Sequence, residues 1–177
     1  MTTTIIATPA LAGVTGAVRT ALRSRPDWAA AAELVADALR GRLPGPEVLT
    51  PEQRLGDPDG PVGHLLHAEP DGSFSVTAVI WRPGQTTRIH DHVTWCVVGV
   101  LQGVEHEERF DADLRPIGAG DNRVGEVTGF APPGDIHLIR NTGAETAISL
   151  HVYGTDLSRV GSSARRYYES ADAEGRR

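Results

Sequence analysis

The chain has 177 residues, a formal net charge of −6 and a charged fraction of 23%. At roughly 150 residues per domain, we expect residues 1–177 to form a single domain. The negative charge argues against a nucleic-acid partner, which needs a basic face, and no apolar stretch reaches the about 18 residues of a membrane helix. The single cysteine, Cys96, excludes an internal disulfide and a metal site built from cysteines alone. No basic residue precedes the mildly apolar N-terminus, so we expect no secretory signal and a cytoplasmic location.

Residues 1–45 are predicted to form an N-terminal helical segment. Within it, Ser24 is suited to an N-cap, Pro26 to a first helical turn and Gly41 to a C-terminal end. Between these signals, apolar residues recur at helical spacing, namely Ala31, Leu34, Val35, Ala38 and Leu39. An amphipathic helix of this kind is expected to cover the rest of the fold.

Residues 62–160 are predicted to form a β barrel, joined to the helices by a connector rich in Pro and Gly at 43–61. Short strand-like runs separated by Gly and Pro are typical of a sandwich or a barrel. The run at 104–110 is charged and is predicted to be an outer-rim strand. The polar tail, residues 169–177, is expected to be flexible. The other strand-like runs are 74–81, 96–101, 123–128, 136–140 and 146–153.

Three histidines have the spacing of a metal site. His90 and His92 are two residues apart, and on a strand such side chains point to the same face. His137 follows a Pro-Gly turn that would deliver it at the start of another strand. One histidine alone is more often a hydrogen-bonded or surface residue, but the three together favour a shared metal ion.

Two groups of residues surround these histidines. The first group comprises Gly84, His90, His92, Cys96 and Gly103, and the second comprises Pro132, Gly134, His137 and Asn141. In their spacing and order the two groups resemble the two cupin motifs. The resemblance implies an all-β fold, a cupin double-stranded β-helix (jelly-roll) barrel, here preceded by N-terminal α-helices.

Cys96 stands where most cupins place a glutamate ligand. Three neutral imidazoles would leave a divalent ion its full charge and open coordination positions. Such a site favours an anionic ligand, and a thiolate is a soft and strongly donating one. The pattern by itself does not select iron over manganese, nickel or zinc.

Five pieces of the sequence carry a more specific resemblance: Trp81-Arg-Pro-Gly84, Ile89-His-Asp-His92, Trp95 to Gly103, Pro133-Gly-Asp-Ile-His137 and Ser149-Leu-His-Val-Tyr-Gly154. With these pieces the chain resembles the cysteine dioxygenase type I family of cupin thiol dioxygenases, in its bacterial branch. The resemblance implies a mononuclear Fe(II) held by His90, His92 and His137. It also implies that both atoms of O2 are added to a small thiol, L-cysteine by default, to give a sulfinic acid.

Ser149, His151 and Tyr153 alternate along one predicted strand and therefore face the same way. In the family this set forms a hydrogen-bonded relay beside the metal. The resemblance therefore implies that Ser149 fixes the tautomer of His151, and that His151 orients the Tyr153 hydroxyl toward substrate or oxygen. The alternative is an ordinary core strand with a buried, hydrogen-bonded histidine.

Cys96 has two interpretations. In animal members of the family a cysteine near this place forms a thioether bond with the relay tyrosine, here Tyr153. The cysteine of this chain lies one residue closer to the histidine pair than in that pattern. The other interpretation is a plain buried thiol.

The substrate is less well specified, because Gly63 occupies the place where family members carry Arg for cysteine or Gln for 3-mercaptopropionate. Glycine cannot bind a carboxylate, whereas Arg does so in a bidentate manner. Arg88 and Arg166 are candidates to replace that residue, each with an exposed surface charge as the alternative, and His64 is a candidate for the entrance. The resulting prediction is that Arg166→Ala raises KM for a mercapto acid.

Alternative functions remain open beside a cysteine dioxygenase. They are a dioxygenase of 3-mercaptopropionate or another mercapto acid, a cupin enzyme that acts on no thiol, and a non-catalytic metal-binding cupin. The Ser149, His151 and Tyr153 set argues against a cupin enzyme that acts on no thiol, since other cupins lack it. The expected partners are a small thiol and O2, with no nucleic acid and no membrane, in a monomer or a small homo-oligomer.

Overall fold

A computed structural model describes residues 9–169. Two helices, α1 (Pro9–Ala21) and α2 (Trp28–Leu39), precede two short 3-10 turns at Pro46–Val48 and Gln53–Leu55. None of the helices within the described range is long and apolar enough to cross a membrane. Residues 1–8 of the predicted helical segment and residues 170–177 of the predicted flexible tail lie outside the described residues.

The helix cap predicted at Ser24 is wrong. The chain leaves α1 through Arg25, which has a positive φ of 49°, so the second helix begins three residues later. Asp27 caps it, because its side chain accepts a hydrogen bond from the backbone N–H of Ala30.

Ten strands form two five-stranded sheets. The first sheet has the order β1-β2-β9-β4-β7 and the second has the order β10-β3-β8-β5-β6, with antiparallel neighbours throughout. This is the predicted double-stranded β-helix fold, and the short helix α3 (Leu157–Val160) joins the last two strands. The strands are β1 (Val62–Ala68), β2 (Ser75–Trp81), β3 (Ile89–His92), β4 (Cys96–Gln102), β5 (Val104–Phe110), β6 (Pro116–Arg123), β7 (Val127–Phe130), β8 (His137–Arg140), β9 (Ala147–Tyr153) and β10 (Ala164–Tyr168).

The helices pack on the outer face of the first sheet, and the apolar core lies between them. Val35 and Leu39 of α2 join Ile148 and Leu150 of β9 in this core. Strand β9 is buried on both faces, so its alternate residues point to the opposite side, into the space between the two sheets. The helix layer therefore leaves the interior of the barrel available for polar side chains.

Strand β5 was predicted at the outer rim, and this prediction is wrong. It lies between β8 and β6, and Glu105 on its inner face is fully buried. The charges in its sequence alternate between environments: His106 and Glu108 face outward, whereas Glu105 and Glu107 face the barrel interior. Charge alone therefore misled the prediction, because the two-residue period of a strand separates the two sets.

Candidate metal centre

The three predicted histidines lie together on two neighbouring strands of the second sheet. His90 and His92 project from the same face of β3, and His137 on β8 is the cross-strand partner of His90. One nitrogen from each ring lies within 4.8 Å of the others, and all three side chains are buried. The alternation of β3 and the register of β8 thus bring three imidazoles to one point, as a mononuclear site requires.

Carboxylates orient two of these rings. Nδ1 of His92 lies 3.1 Å from Oδ2 of Asp135, which also accepts the backbone N–H of His92. Nδ1 of His137 lies 2.7 Å from Oε1 of Glu107. Burial acts to raise the pKa of both carboxyls, but the hydrogen bonds from His92 and His137 hold each pKa below its ordinary value. Each ring is thereby oriented by an ionised oxygen.

His90 is oriented by the backbone, because its Nδ1 lies 2.9 Å from the carbonyl oxygen of Arg88. In all three rings the Nδ1 proton therefore has an acceptor, which leaves Nε2 as the free electron-pair donor. Burial, reinforced by His137 and His92, lowers the pKa of His90 to about 3, so this ring is neutral at pH 7. The donor set and its tautomers fit a divalent first-row transition metal.

Beside the three rings, β9 carries a continuous chain of polar side chains. The Tyr153 hydroxyl lies 3.0 Å from Nδ1 of His151, and Nε2 of His151 lies 2.7 Å from the Ser149 hydroxyl. The indole N–H of Trp81 donates to the same hydroxyl at 3.1 Å. Burial lowers the pKa of His151 to about 3 and raises the pKa of Tyr153 well above its usual value. Both side chains are therefore neutral at pH 7, as a chain of neutral hydrogen bonds needs.

Cys96 on β4 is the direct cross-strand partner of Tyr153 on β9, and their side chains pack in one cluster. The thiol is fully buried, and this burial raises its pKa well above the ordinary value. The register shows that the one-residue offset noted in the sequence still leaves Cys96 on the face of β4 that meets the tyrosine.

A cavity of about 580 Å³ opens beside Tyr153. A side chain at Gly63, on its wall, would meet Thr77, because an added Cβ would lie 3.2 Å from the Thr77 methyl group. The wall here is thus formed by small residues instead of a long cation. The lining residues are Pro61, Gly63, Leu65, Thr77, Val79, Tyr153, Leu157, Ser158, Gly161, Ser162 and Ser163.

Arg166 lies on β10, opposite Asp91 of β3. Its guanidinium donates to the Asp91 carboxylate, which also accepts from Arg165 and Tyr168. Burial acts to raise the pKa of Asp91, but these three donors hold it below its usual range. Because Asp91 alternates with His90 and His92, this group lies on the other face of β3 from the three rings.

Arg88 lies on the side of the histidines. Its guanidinium sits 4.7 Å above the ring of Tyr167, which is 6.2 Å from the ring of His90. Among residues 9–169, no carboxylate forms an ion pair with it. His64 is on the face of β1 opposite Gly63 and Leu65, which line the cavity, so we assign His64 no contact with that space.

Several functional candidates were missed in the sequence. Asp135 and Glu107 orient ligand rings, Asp91 anchors β10, and Glu105 is buried beside Ser149. For Asp91 the signal was available, since it stands between His90 and His92. For Glu107 and Asp135 no sequence signal connects the acid to its histidine, because the partners are 30 and 43 residues apart.

One family model and several solved structures are similar to this chain. The sequence matches the family described as "Cysteine dioxygenase type I" over residues 57–166. A Thermus thermophilus protein shares 20% identity at a TM-score of 0.48, over 60% of this chain and 96% of its own. A Klebsiella pneumoniae protein with a double-stranded β-helix domain shares 18% sequence identity at a TM-score of 0.48. The match covers 56% of this chain and 81% of that protein. An oxalate oxidase shares 18% sequence identity at a TM-score of 0.46 over 56% of this chain. The chain spans about half (53%) of the length of that enzyme.

Proposed function

Because the chain belongs to the cysteine dioxygenase type I family, we propose that it is an iron-dependent thiol dioxygenase. It would add both atoms of O2 to the sulfur of a small thiol and release the sulfinic acid. The observation that carries this proposal is the pairing of three convergent imidazoles with the buried Ser149, His151 and Tyr153 chain beside them.

His90, His92 and His137 would hold the ferrous ion through their Nε2 atoms. Bound there, Fe(II) supplies the redox chemistry that lets O2 react with a thiolate, at positions that the protein leaves open. Since no carboxylate is among the three ligands, the site keeps more positive charge and favours an anionic sulfur. Asp135 and Glu107 keep the rings in place without occupying a coordination position.

Tyr153 is the protein group that meets the substrate. Burial keeps its hydroxyl protonated at pH 7, and its hydrogen bond to His151 holds it in place. From the wall of the cavity it would orient the polar end of the thiol or of O2.

We propose that the substrate is a mercapto acid whose carboxylate is bound by Arg88 rather than Arg166. Arg166 is committed to Asp91, whereas the exposed Arg88 has no ion-pair partner among the described residues and stacks on Tyr167, whose ring is 6.2 Å from that of His90. Arg88→Ala is expected to raise KM for 3-mercaptopropionate about 10-fold or more, the cost of a lost charge-assisted pair. Arg166→Ala is expected to change KM less, and steady-state kinetics that rank the two variants in the opposite order would contradict this assignment.

The test of the function is oxygen uptake by protein reconstituted anaerobically with Fe(II). Cysteine, cysteamine, 3-mercaptopropionate and mercaptosuccinate are offered in turn, and mass spectrometry follows each thiol. We expect uptake that depends on both iron and thiol, with a product heavier by two oxygen atoms. His92→Ala should abolish it, whereas the surface variant Glu108→Gln should not. Iron binding without uptake on any of the four thiols would contradict the proposal.

A further inference from the structure

Glu105 is a buried acid that the proposed chemistry does not yet use. Its side chain is fully inaccessible to solvent, and neither carboxyl oxygen has a hydrogen-bond partner among the described residues. An unpaired buried carboxyl destabilises a fold if it stays ionised, because its charge loses the water that would solvate it. A protein core retains such a group only with a compensating role or a proton.

The surroundings of Glu105 are asymmetric. On the outer face of the same strand, His106 pairs with Asp121 of β6 and Glu108 with Arg140 of β8, so these charges point away from it. On the inner face, Glu107 is engaged by His137.

Across the barrel, the groups that act on the Glu105 carboxyl are the Ser149 hydroxyl of β9 and the Trp81 indole of β2. No arginine from the described residues forms an ion pair with it. The polar groups that influence the Glu105 carboxyl are therefore those at the inner end of the polar chain.

The hydrogen-bond capacity of Ser149 links the state of Glu105 to Tyr153. Its hydroxyl already accepts from Trp81, which leaves one acceptor position and one proton for His151 and Glu105. In this structure neither Glu105 oxygen is hydrogen-bonded to Ser149, so the relay requires that contact to close. An ionised Glu105 that closes it accepts the Ser149 proton, so His151 donates from Nε2 and accepts the Tyr153 proton at Nδ1. If Glu105 is protonated, it donates to Ser149, and every hydrogen bond in the chain reverses.

We propose, on the basis of the proposed thiol dioxygenase function, that Glu105 is a positioning residue that ends a proton relay from the substrate pocket. The relay runs from Tyr153 through His151 and Ser149 to the Glu105 carboxyl. In its ionised form Glu105 directs the protons of Ser149, His151 and Tyr153 inward. The Tyr153 oxygen, which is also hydrogen-bonded with Ser163 and Cys96, then receives no proton from the relay and can accept one from a thiol.

The relay transfers one proton from the thiol to Glu105 in four steps, with no net gain or loss of protons. The thiol gives its proton to the Tyr153 oxygen, and the Tyr153 proton passes to Nδ1 of His151. The Nε2 proton of His151 then passes to Ser149, and the Ser149 proton passes to Glu105. The products are a thiolate and a neutral Glu105, the hydrogen bonds now point outward, and no electron or heavy atom has moved. Tyr153 ends by donating toward the sulfur that it deprotonated.

The acidity of Glu105 suits this role. Burial, with a smaller contribution from Glu107, raises the pKa of Glu105 to about 7, against the opposing effect of Ser149 and Trp81. A base of that strength takes up a proton near neutral pH and returns it when the product leaves. Because the pKa of His151 is about 3, His151 stays neutral while Glu105 titrates.

The first experiment reads the tautomer of His151 in the metal-free protein, from its 15N chemical shifts. From about pH 6 to about pH 8 the ratio of protonated to ionised Glu105 changes about 100-fold. We therefore expect His151 to change from the Nδ1–H tautomer to the Nε2–H tautomer in that range. Glu105→Gln should abolish this pH dependence, and the matched control Glu108→Gln should keep it. A tautomer that does not change in the wild type, or that changes equally in Glu105→Gln, would overturn the proposal.

A second variant keeps the test decisive if Glu105→Gln does not fold. Ser149→Ala removes the link between Glu105 and His151, so it should also make the His151 tautomer independent of pH. If Ser149→Ala still shows the wild-type transition, the signal does not come through Ser149 and the relay is wrong. Either result is obtained without iron and without turnover, so it is separate from success or failure of the dioxygenase assay.

With iron and an active thiol, the relay predicts a kinetic signature. Glu105→Gln should lower kcat about 10-fold or more at about pH 8, where the wild-type group is ionised. It should also flatten the dependence of kcat on pH, while KM for the thiol changes less. A variant with wild-type kcat and an unchanged pH profile would contradict a role in the reaction, even if the tautomer experiment succeeds.

Discussion

At the scale of single residues, each ligand histidine depends on one acceptor. Nδ1 of each ring faces an oxygen, supplied by the Arg88 backbone, Asp135 or Glu107. A neutral imidazole with two equivalent tautomers would present Nε2 as a ligand only part of the time. The acceptors remove that ambiguity, and a negative acceptor also makes the ring a better donor to the metal.

Glu107→Gln tests the contribution of such an acceptor. Glutamine keeps the shape of the side chain and removes the charge opposite His137, so we expect metal affinity to fall about 10- to 100-fold. Competition with a metallochromic chelator would measure the change. Glu108→Gln, on the outer face of the same strand, is the control and should bind as the wild type does. Equal affinity in both variants would show that Glu107 does not support the ligand.

The contact between Cys96 and Tyr153 gives a second prediction at this scale. Since the residues are cross-strand partners in one cluster, we expect protein that has turned over with iron, O2 and thiol to contain a thioether between them. Tryptic mapping should then find a joined peptide that is lighter by two hydrogen atoms than the separate pair. Cys96→Ser cannot form the bond and should show only separate peptides. Unmodified Cys96 and Tyr153 peptides in the wild type after turnover would contradict the expectation.

At the scale of elements, the helix layer fixes the first sheet from outside. Helix α2 comes so close to β7 that an added Cβ at Gly129 would lie only 2.6 Å from the carbonyl oxygen of Ala32. The φ of Gly129 is not in the left-handed region, so backbone conformation does not require glycine here. Glycine is required because any side chain would collide with the helix backbone. In the second sheet, the edge strand β10 is held to β3 by hydrogen bonds to Asp91. The donors are Arg165, Arg166 and Tyr168.

Gly129→Ala is expected to force α2 away from the sheet. Because the obstacle is helix backbone and not a flexible side chain, the free energy of unfolding should fall by about 1–3 kcal/mol, as for an overpacked site. Urea denaturation would measure it. Gly120→Ala is the matched control, since an added Cβ there meets nothing within 4 Å, and its effect should stay within about 0.5 kcal/mol. Equal stability of the two variants would show that α2 adjusts freely.

At the scale of the whole molecule, the apolar core and the polar site occupy different layers. Apolar residues between the helices and the first sheet form the core. The space between the two sheets can therefore hold carboxyl groups and neutral histidines. Burying these groups links stability to pH. The pKa of His151 is about 3 in the fold and about 6.5 in an unfolded chain, so the unfolded state binds more protons below about pH 6.5.

His151→Gln measures this linkage. The contribution of neutral His151 to the free energy of unfolding is complete above about pH 6.5. It is lost as the pH falls toward the folded-state pKa, and the loss reaches about 2 kcal/mol at about pH 5. The difference in unfolding free energy between the metal-free wild type and His151→Gln should therefore change by that amount between pH 7 and pH 5, to the disadvantage of the wild type. Urea denaturation at both pH values checks it, and a difference that is independent of pH would contradict the buried neutral state.

The sequence by itself determined the shared face of His90 and His92 and that of Ser149, His151 and Tyr153. These features depend on short-range periodicity, because i and i+2 on a strand share a face whatever the strand later packs against. The fold class, and the place of His137 beside the other two histidines, followed from the resemblance to the cupin motifs. The helix cap at Asp27 and the inner position of β5 were missed, because each depends on how the chain turns or pairs beyond its own segment.

Only the tertiary structure decided which groups meet across the barrel. Glu107 reaches His137, Asp91 binds Arg166, and Glu105 faces Ser149, and each contact joins strands that are distant in the chain. Register and sheet order create these neighbours, and burial then changes their acidity. Neither register nor burial can be obtained from the local pattern of charges, and for this reason β5, taken from its sequence as a solvated rim, contributes the acids of the barrel interior.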